Sequence, residues 1–158
     1  MQAEGAALTR LAASYARARG DREDLFQDIA VAIWQALPHF RGECSERTFL
    51  FRIAHNRGIA HIARRRLPTI DSEETLDPPD ERPDPEQSLS ADQQNRRLLA
   101  AVLCLPVGYR QVLTLALEGM SYSEIGQVLG IGESNVGARL TRARQALRRR
   151  LTGASDAR

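Results

Sequence analysis

Between Leu67 and Asp92 the chain concentrates five of its seven prolines, Pro68, Pro78, Pro79, Pro83 and Pro85, with nine acidic residues and a single Arg. Each proline removes a backbone donor and turns its predecessor away from the helical region. A net charge of −8 leaves the stretch self-repelling, with too little apolar surface to pack a core. It therefore reads as an extended, flexible acidic linker, residues 67–92, and forces the rest of the chain into two small domains, residues 1–66 and 93–152, with a flexible tail at 153–158. Charge divides along the same boundaries. Residues 1–66 hold 11 Arg and 7 acids and residues 93–158 hold 10 Arg and 4 acids, so +4 and +6 flank the acidic segment although the whole chain carries only +2.

Ala, Leu and Arg abound, aromatics are 5% and β-branched runs are few, which favours helices over sheets and predicts an all-α fold. No run of apolar residues is long enough to span a membrane and no basic-then-apolar leader opens the chain, so a cytoplasmic protein is expected. Cys44 and Cys104 stand far apart without partners at metal-ligand spacing, and His39, His55 and His61 form no ligand set, so neither disulfide nor metal site is expected. Glycine-rich phosphate loops, clustered carboxylates and a nucleophile with its base are all missing, which argues against an enzyme and against a cofactor.

In the first domain the Ala-rich stretch Leu8–Arg19 predicts a helix closed by Gly20 in the left-handed conformation. Asp21 is then placed to cap a second helix running to about Leu37, before Pro38. Its inward stripe is Leu25, Ile29, Ile33 and Leu37, with Phe26 and Trp34 beside it, leaving Asp24, Gln27, Asp28 and Gln35 outside. A loop from Phe40 to Glu46 turns at Gly42 and leads into a helix from about Arg47 to Arg66. Phe49, Ile53, Ala60 and Ala63 form its predicted inward stripe, while Arg52, Asn56, Arg57 and Arg64 to Arg66 face solvent or a polyanion. Phe49 and Phe51 can stack on bases but at helical spacing fit a core better, and His55 stands where it can reach a phosphate.

The second domain opens with a helix near Asp92–Leu103, breaks at Pro106 and resumes over Tyr109–Glu118 until Gly119. Ser121 and Glu124 have the capping-box spacing, in which each side chain satisfies the other residue's backbone donor. The short helix they start, Tyr122–Leu129, ends at Gly130, and a long Arg-rich helix follows from about Ser134 to Leu151. Short helix, glycine turn and long basic helix make a helix-turn-helix. Val136, Leu140, Ala143, Leu147 and Leu151 line its inner side against Ile125, Leu129 and Ile131. Ser134, Asn135, Gly137, Ala138, Arg139 and Arg142 then lie at the end that enters a major groove, where Arg pairs with guanine and Asn with adenine, and Arg144, Arg148 and Arg149 suit phosphates.

In this order the motifs resemble the extracytoplasmic-function (ECF) group of the sigma-70 family of RNA polymerase sigma factors, over nearly the whole chain. DREDLFQDIAVAIW is similar to the family's polymerase-gripping helix, FRGECSERTFLFRIAHNRGIAHIARRR to its -10 segment, and LPVGYRQVLTLALEGMSYSEIGQVLGIGESNVGARLTRARQALRRRL to its -35 domain. The resemblance implies that Leu25, Gln27, Asp28 and Ile29 meet the β′ clamp helices of core RNA polymerase, with the β flap as a further contact. It implies that Gly42, Glu43, Cys44, Ser45 and Glu46 hold a flipped base of the -10 element while Arg52, Asn56 and Arg57 line the single strand. It implies that Ser134 to Arg142 read the -35 element, that the linker threads toward the RNA exit channel, and that an anti-sigma factor sequesters both domains.

The chain departs from the family pattern in places. Only about twenty residues precede Asp21, where the family usually has a longer first helix, which implies either a smaller first domain or a misassigned start. Ala60 stands where the family usually has Asp, Glu46 where an apolar or aromatic residue is common, and Gly137 where Lys is frequent. A mid-helix glycine costs about 1 kcal/mol against Ala, so a loosened recognition helix is expected. The competing reading is a free-standing helix-turn-helix transcriptional regulator, which leaves the first domain and the linker without a role.

Overall fold

The computed structural model describes residues 2–66 and 89–153; most of the acidic linker and nearly all of the tail lie outside the described residues. The chain divides into two compact units, at residues 82 and 83. All seven long elements among the described residues are α-helices, as the composition predicts.

The first unit contains α1 (Gln2–Tyr15), α2 (Arg19–Ala36) with a single 3₁₀ turn at Leu37–His39, and α3 (Glu46–Arg66). The three helices pack against one another pairwise around Leu11, Tyr15, Leu25, Ile29, Phe51 and Ala54. The junction between α1 and α2 differs from expectation. Helix α1 ends at Tyr15, and Gly20, whose φ is not positive, lies in the first turn of α2, whose N-cap is Ala18 with no side-chain cap. The carbonyls that a glycine cap would have served are taken by Arg22, which donates from Nε to Ala16 O at 3.0 Å and from Nη2 to Arg17 O at 2.9 Å. Asp21, expected as the cap, pairs instead with Arg65 on α3.

Two inward stripes also shift. On α2 the buried residues are Leu25, Ile29 and Ala32, whereas Leu37 is 44% and Trp34 75% exposed. A row of every fourth residue drifts about 40° round the axis at each step, so it leaves the core after two turns. On α3 the buried positions are Thr48, Phe51, Ala54 and Gly58, not Phe49, Ile53, Ala60 and Ala63. The reason is a close approach: a Cβ on Gly58 would stand 2.6 Å from two ring carbons of Tyr15, so α1 rests directly on the α3 backbone.

The second unit contains α4 (Leu89–Leu103), α5 (Val107–Leu117), α6 (Tyr122–Leu129) and α7 (Glu133–Gly153). Residues 89–92, assigned above to the linker, are the first turn of α4; the last proline before that helix is Pro85, and Asp92 suits the positive end of the helix. Helix α7 also takes in Gly153, assigned above to the tail. Helices α4, α5 and α6 all pack on α7, over a core of Val112, Leu115, Ile125, Val136, Leu140 and Ala143. Leu147 is half-buried and Leu151 38% exposed, so the stripe fades at the free end of α7.

The local signals here act as read. Glu124 N donates to Ser121 Oγ at 3.2 Å and Ser121 N to Glu124 Oε2 at 2.7 Å, completing the capping box. Gly130 closes α6 at φ 69°, in the left-handed region. The turn then folds back so tightly that a Cβ on the buried Gly126 would lie 2.6 Å from the Ile131 carbonyl oxygen. Helix α7 runs unbroken through Gly137. No helix among the described residues is long and apolar enough to cross a membrane.

Candidate nucleic-acid interface

Unit 1 offers an open hollow where its loop meets α3. Gly42, at φ 75°, turns the chain, and Ser45 caps α3 by accepting from Thr48 N at 3.1 Å while its hydroxyl donates to Thr48 Oγ1 at 2.9 Å. Ser45 thus has a structural partner, and its cap anchors the loop. His39, Phe40, Arg41, Glu43, Cys44, Phe49 and Arg52 line a depression of about 290 Å³. Its floor is aromatic, with the Phe40 and Phe49 rings 4.5 Å apart. Phe51 is fully buried under the Arg47 guanidinium and takes no part in the surface.

The expected basic track on α3 divides in two. Arg52, Asn56, Ile59 and Ala63 recur at three-to-four spacing on the side that holds the hollow, and Asn56, Ile59 and Ala63 are exposed. Arg57 lies about 140° round the helix from Arg52 and turns to α2. There Asp28 stands 3.9 Å from Arg57 and 3.5 Å from Arg64, while Arg65 is paired with Asp21. Asp28, expected as an outer residue, is half-buried between two guanidinium groups. His55 does not reach outward as a cation. Its Nδ1 is hydrogen-bonded to the Tyr15 hydroxyl at 2.7 Å, and burial lowers its pKa to about 4, so it is neutral at neutral pH.

On α2, Leu25 and Ile29 are 1% and 0% exposed and belong to the core rather than the outer face. Gln27 is exposed, and with it Val31 and Trp34, at i, i+4 and i+7. Trp34, expected beside the inner stripe, lies outside it, and its four- and three-residue steps from exposed Gln27 are the signal for that place.

In unit 2 the outward side of α7 carries Ser134, Asn135, Ala138, Thr141 and Arg142, all exposed, followed by exposed Arg144, Arg148 and Arg149. Thr141 is an addition to the sequence-based set; its hydroxyl donates to Gly137 O at 3.0 Å and is thus engaged by its own helix. Gly137 lies under the Tyr122 ring, and Arg139 Nε donates to Asn135 Oδ1 at 3.0 Å. Among the described residues no group of His, Cys, Asp and Glu is arranged to hold a metal.

Two family models match the chain, Sigma-70 region 2 over residues 1–67 and Sigma-70, region 4 over residues 95–147. The RNA polymerase sigma factor CnrH of Cupriavidus metallidurans is 34% identical over 152 residues, which cover 90% of this chain and 80% of CnrH. The chain belongs to the sigma-70 family. The ECF sigma-E factor of Escherichia coli is 28% identical, across 81% of this factor and 72% of its own length, and the factor is a member of the ECF group. Solved structures agree on the fold. CnrH in complex with the cytosolic domain of CnrY matches this factor with TM-score 0.68 and 29% identity, over 94% of this chain and 82% of that one. RpoE of Bartonella quintana, in complex with the anti-sigma factor NepR, matches with TM-score 0.71 at 20% identity, over 94% and 91% of the two chains. Sigma factors direct promoter recognition in transcription initiation, and that is the function of this protein.

Proposed function

We propose how this factor divides the work. Helix α2 presents Gln27, Val31 and Trp34 to core polymerase, an exposed amphipathic face of the kind that docks on a partner's helices. Asp28 contributes at its edge while also bracing α3. The β′ clamp helices are the partner this face meets, and unit 2 engages the β flap. The hollow that Glu43 and Cys44 line, within the loop Gly42 to Glu46, receives a flipped base of the -10 element, with Phe40 and Phe49 for stacking and Arg52 and Asn56 for the strand. Arg57 joins that strand only by leaving Asp28. Helix α7 reads the -35 element through Ala138, Thr141 and Arg142, with Ser134, Asn135, Gly137 and Arg139 at its start and flanks. The factor acts in the cytoplasm and is held inactive by an anti-sigma factor, a reading supported by the complexes of its structural neighbours with CnrY and NepR.

The single observation that carries this reading is that a loop hollow with an aromatic floor and a capped helix-turn-helix occur in one chain. A free-standing regulator needs only the second. Run-off transcription from a genomic library with added core polymerase tests it. The expected result is initiation at one class of promoters that neither factor nor core selects alone. Tight binding of the isolated chain to a duplex operator, with no binding to core, would reject it.

A further inference from the structure

Asn135 and Arg139 both belong to the reading end of α7, but their geometry sets them apart from their neighbours. The outward line of α7 runs through Ala138, Arg142 and Arg149, all exposed. Arg139 is one residue past Ala138 and so about 100° round the helix, on its flank. Its guanidinium lies against α5: a Cβ on Gly108 would stand 3.7 Å from Arg139 Nη1. Arg139 is half-buried there, over a residue with no side chain to push it away.

Asn135, one turn earlier, fixes this position by accepting from Arg139 Nε at 3.0 Å. The contact has a consequence for both residues. A carboxamide that reads adenine accepts from N6 through its oxygen and donates to N7 through its nitrogen. Here the oxygen is directed at Arg139. A guanidinium that reads guanine projects its fork into the groove. Here the fork is drawn back along the helix flank, where a groove-bound helix faces the sugar-phosphate wall.

We infer that Asn135 is a positioning residue: its Oδ1 holds the Arg139 guanidinium over Gly108, so that Arg139 grips a phosphate of the -35 element and neither residue reads a base. The inference rests on α7 being the -35 reading helix. Sequence choice then falls to Ala138, Thr141 and Arg142. The methyl groups of Ala138 and Thr141 suit thymine, and Arg142 suits guanine.

Holoenzyme binding to a set of -35 variants, each with one base pair changed, tests this over a range of salt. Arg139→Ala is expected to weaken binding about three- to tenfold on every variant alike and to lower the salt slope by about one. Asn135→Ala is expected to give part of the same uniform loss, and no further loss in the Arg139→Ala background. Asn135→Asp keeps an acceptor for Arg139 but cannot donate to adenine N7, and is expected to preserve the natural ranking of the variants. A loss confined to one base pair in Asn135→Ala or Asn135→Asp, or additive losses in the double variant, would overturn the inference. If the unsubstituted holoenzyme ranked no -35 variant above another, the -35 reading itself would fall instead.

Discussion

The two units of this sigma factor are built from the same element, the short α-helix, but specify it differently. In unit 2 each helix boundary is written beside the helix it ends: Pro106 before α5, Gly119 at φ 79° after it, the Ser121–Glu124 box before α6 and Gly130 after it. In unit 1 Ser45 caps α3 locally, but the junction of α1 with α2 and the buried faces depend on groups outside the helix concerned. Arg22 reaches back to the end of α1, Asp21 and Asp28 on α2 bind Arg65, Arg57 and Arg64 on α3, and Tyr15 on α1 decides which side of α3 is buried. Unit 2 is coded locally and unit 1 by tertiary contact, so perturbations that act through distant partners should strike unit 1 alone.

Acid is the largest such perturbation. All three histidines lie in unit 1. His55 has its folded pKa lowered from 6.5 to about 4 by burial, and burial lowers that of His61 as well. The unfolded chain therefore takes up the His55 proton first, and stability falls as pH drops from 6.5 to about 4. Over that window unit 1 is expected to lose about 3 kcal/mol from His55. Hydrogen exchange on the full chain separates the units. Equal weakening of unit 2, which has no histidine, would break the contrast.

Next in size is Gly58→Ala. The new methyl meets Tyr15, which is 5% exposed and hydrogen-bonded to His55, so the ring cannot swing away. Unit 1 is expected to lose about 1 to 3 kcal/mol to overpacking, read as a lower first transition in thermal unfolding. Smaller still is Ser121→Ala in unit 2, which removes the acceptor of Glu124 N and is expected to cost about 1 kcal/mol. An unchanged α6 in hydrogen exchange would mean that the cap is not what starts that helix.

The same contrast explains what could be read before the fold was known. The capping box, the Gly119 and Gly130 closures and the α7 stripe through Val136, Leu140 and Ala143 are short-range patterns, and they fell where expected. The inner faces of α2 and α3 did not. Size and apolarity do not decide them: the close approach of α1 makes Gly58 interior, while Thr48 is 1% and Trp34 75% exposed. Among the candidate site residues, Glu43, Cys44 and Arg52 come together in one hollow, because a loop and the helix turns after it are neighbours in sequence. Arg57 parts from them and turns to Asp28, twenty-nine residues away. Leu25 and Ile29 were caught in the same ambiguity: an amphipathic helix announces that it has two faces, not which one its own domain will use.

The smallest effect is the most discriminating, because it has the opposite sign. Gly137 sits within α7 as Gly58 sits within α3, and in both a change to Ala gains about 0.5 to 1 kcal/mol of helix propensity. What differs is the neighbour. At Gly58 the Cβ would stand 2.6 Å from a buried ring; at Gly137 it would stand 3.4 Å from Cε2 of Tyr122, an ordinary contact with a ring that is 44% exposed and can yield. Gly137→Ala is therefore expected to raise the melting temperature of unit 2 by a few degrees, while Gly58→Ala lowers that of unit 1. A loss of stability at Gly137 would mean that Tyr122 is held as firmly as Tyr15, and that the recognition helix of this factor also takes its shape from a partner outside itself.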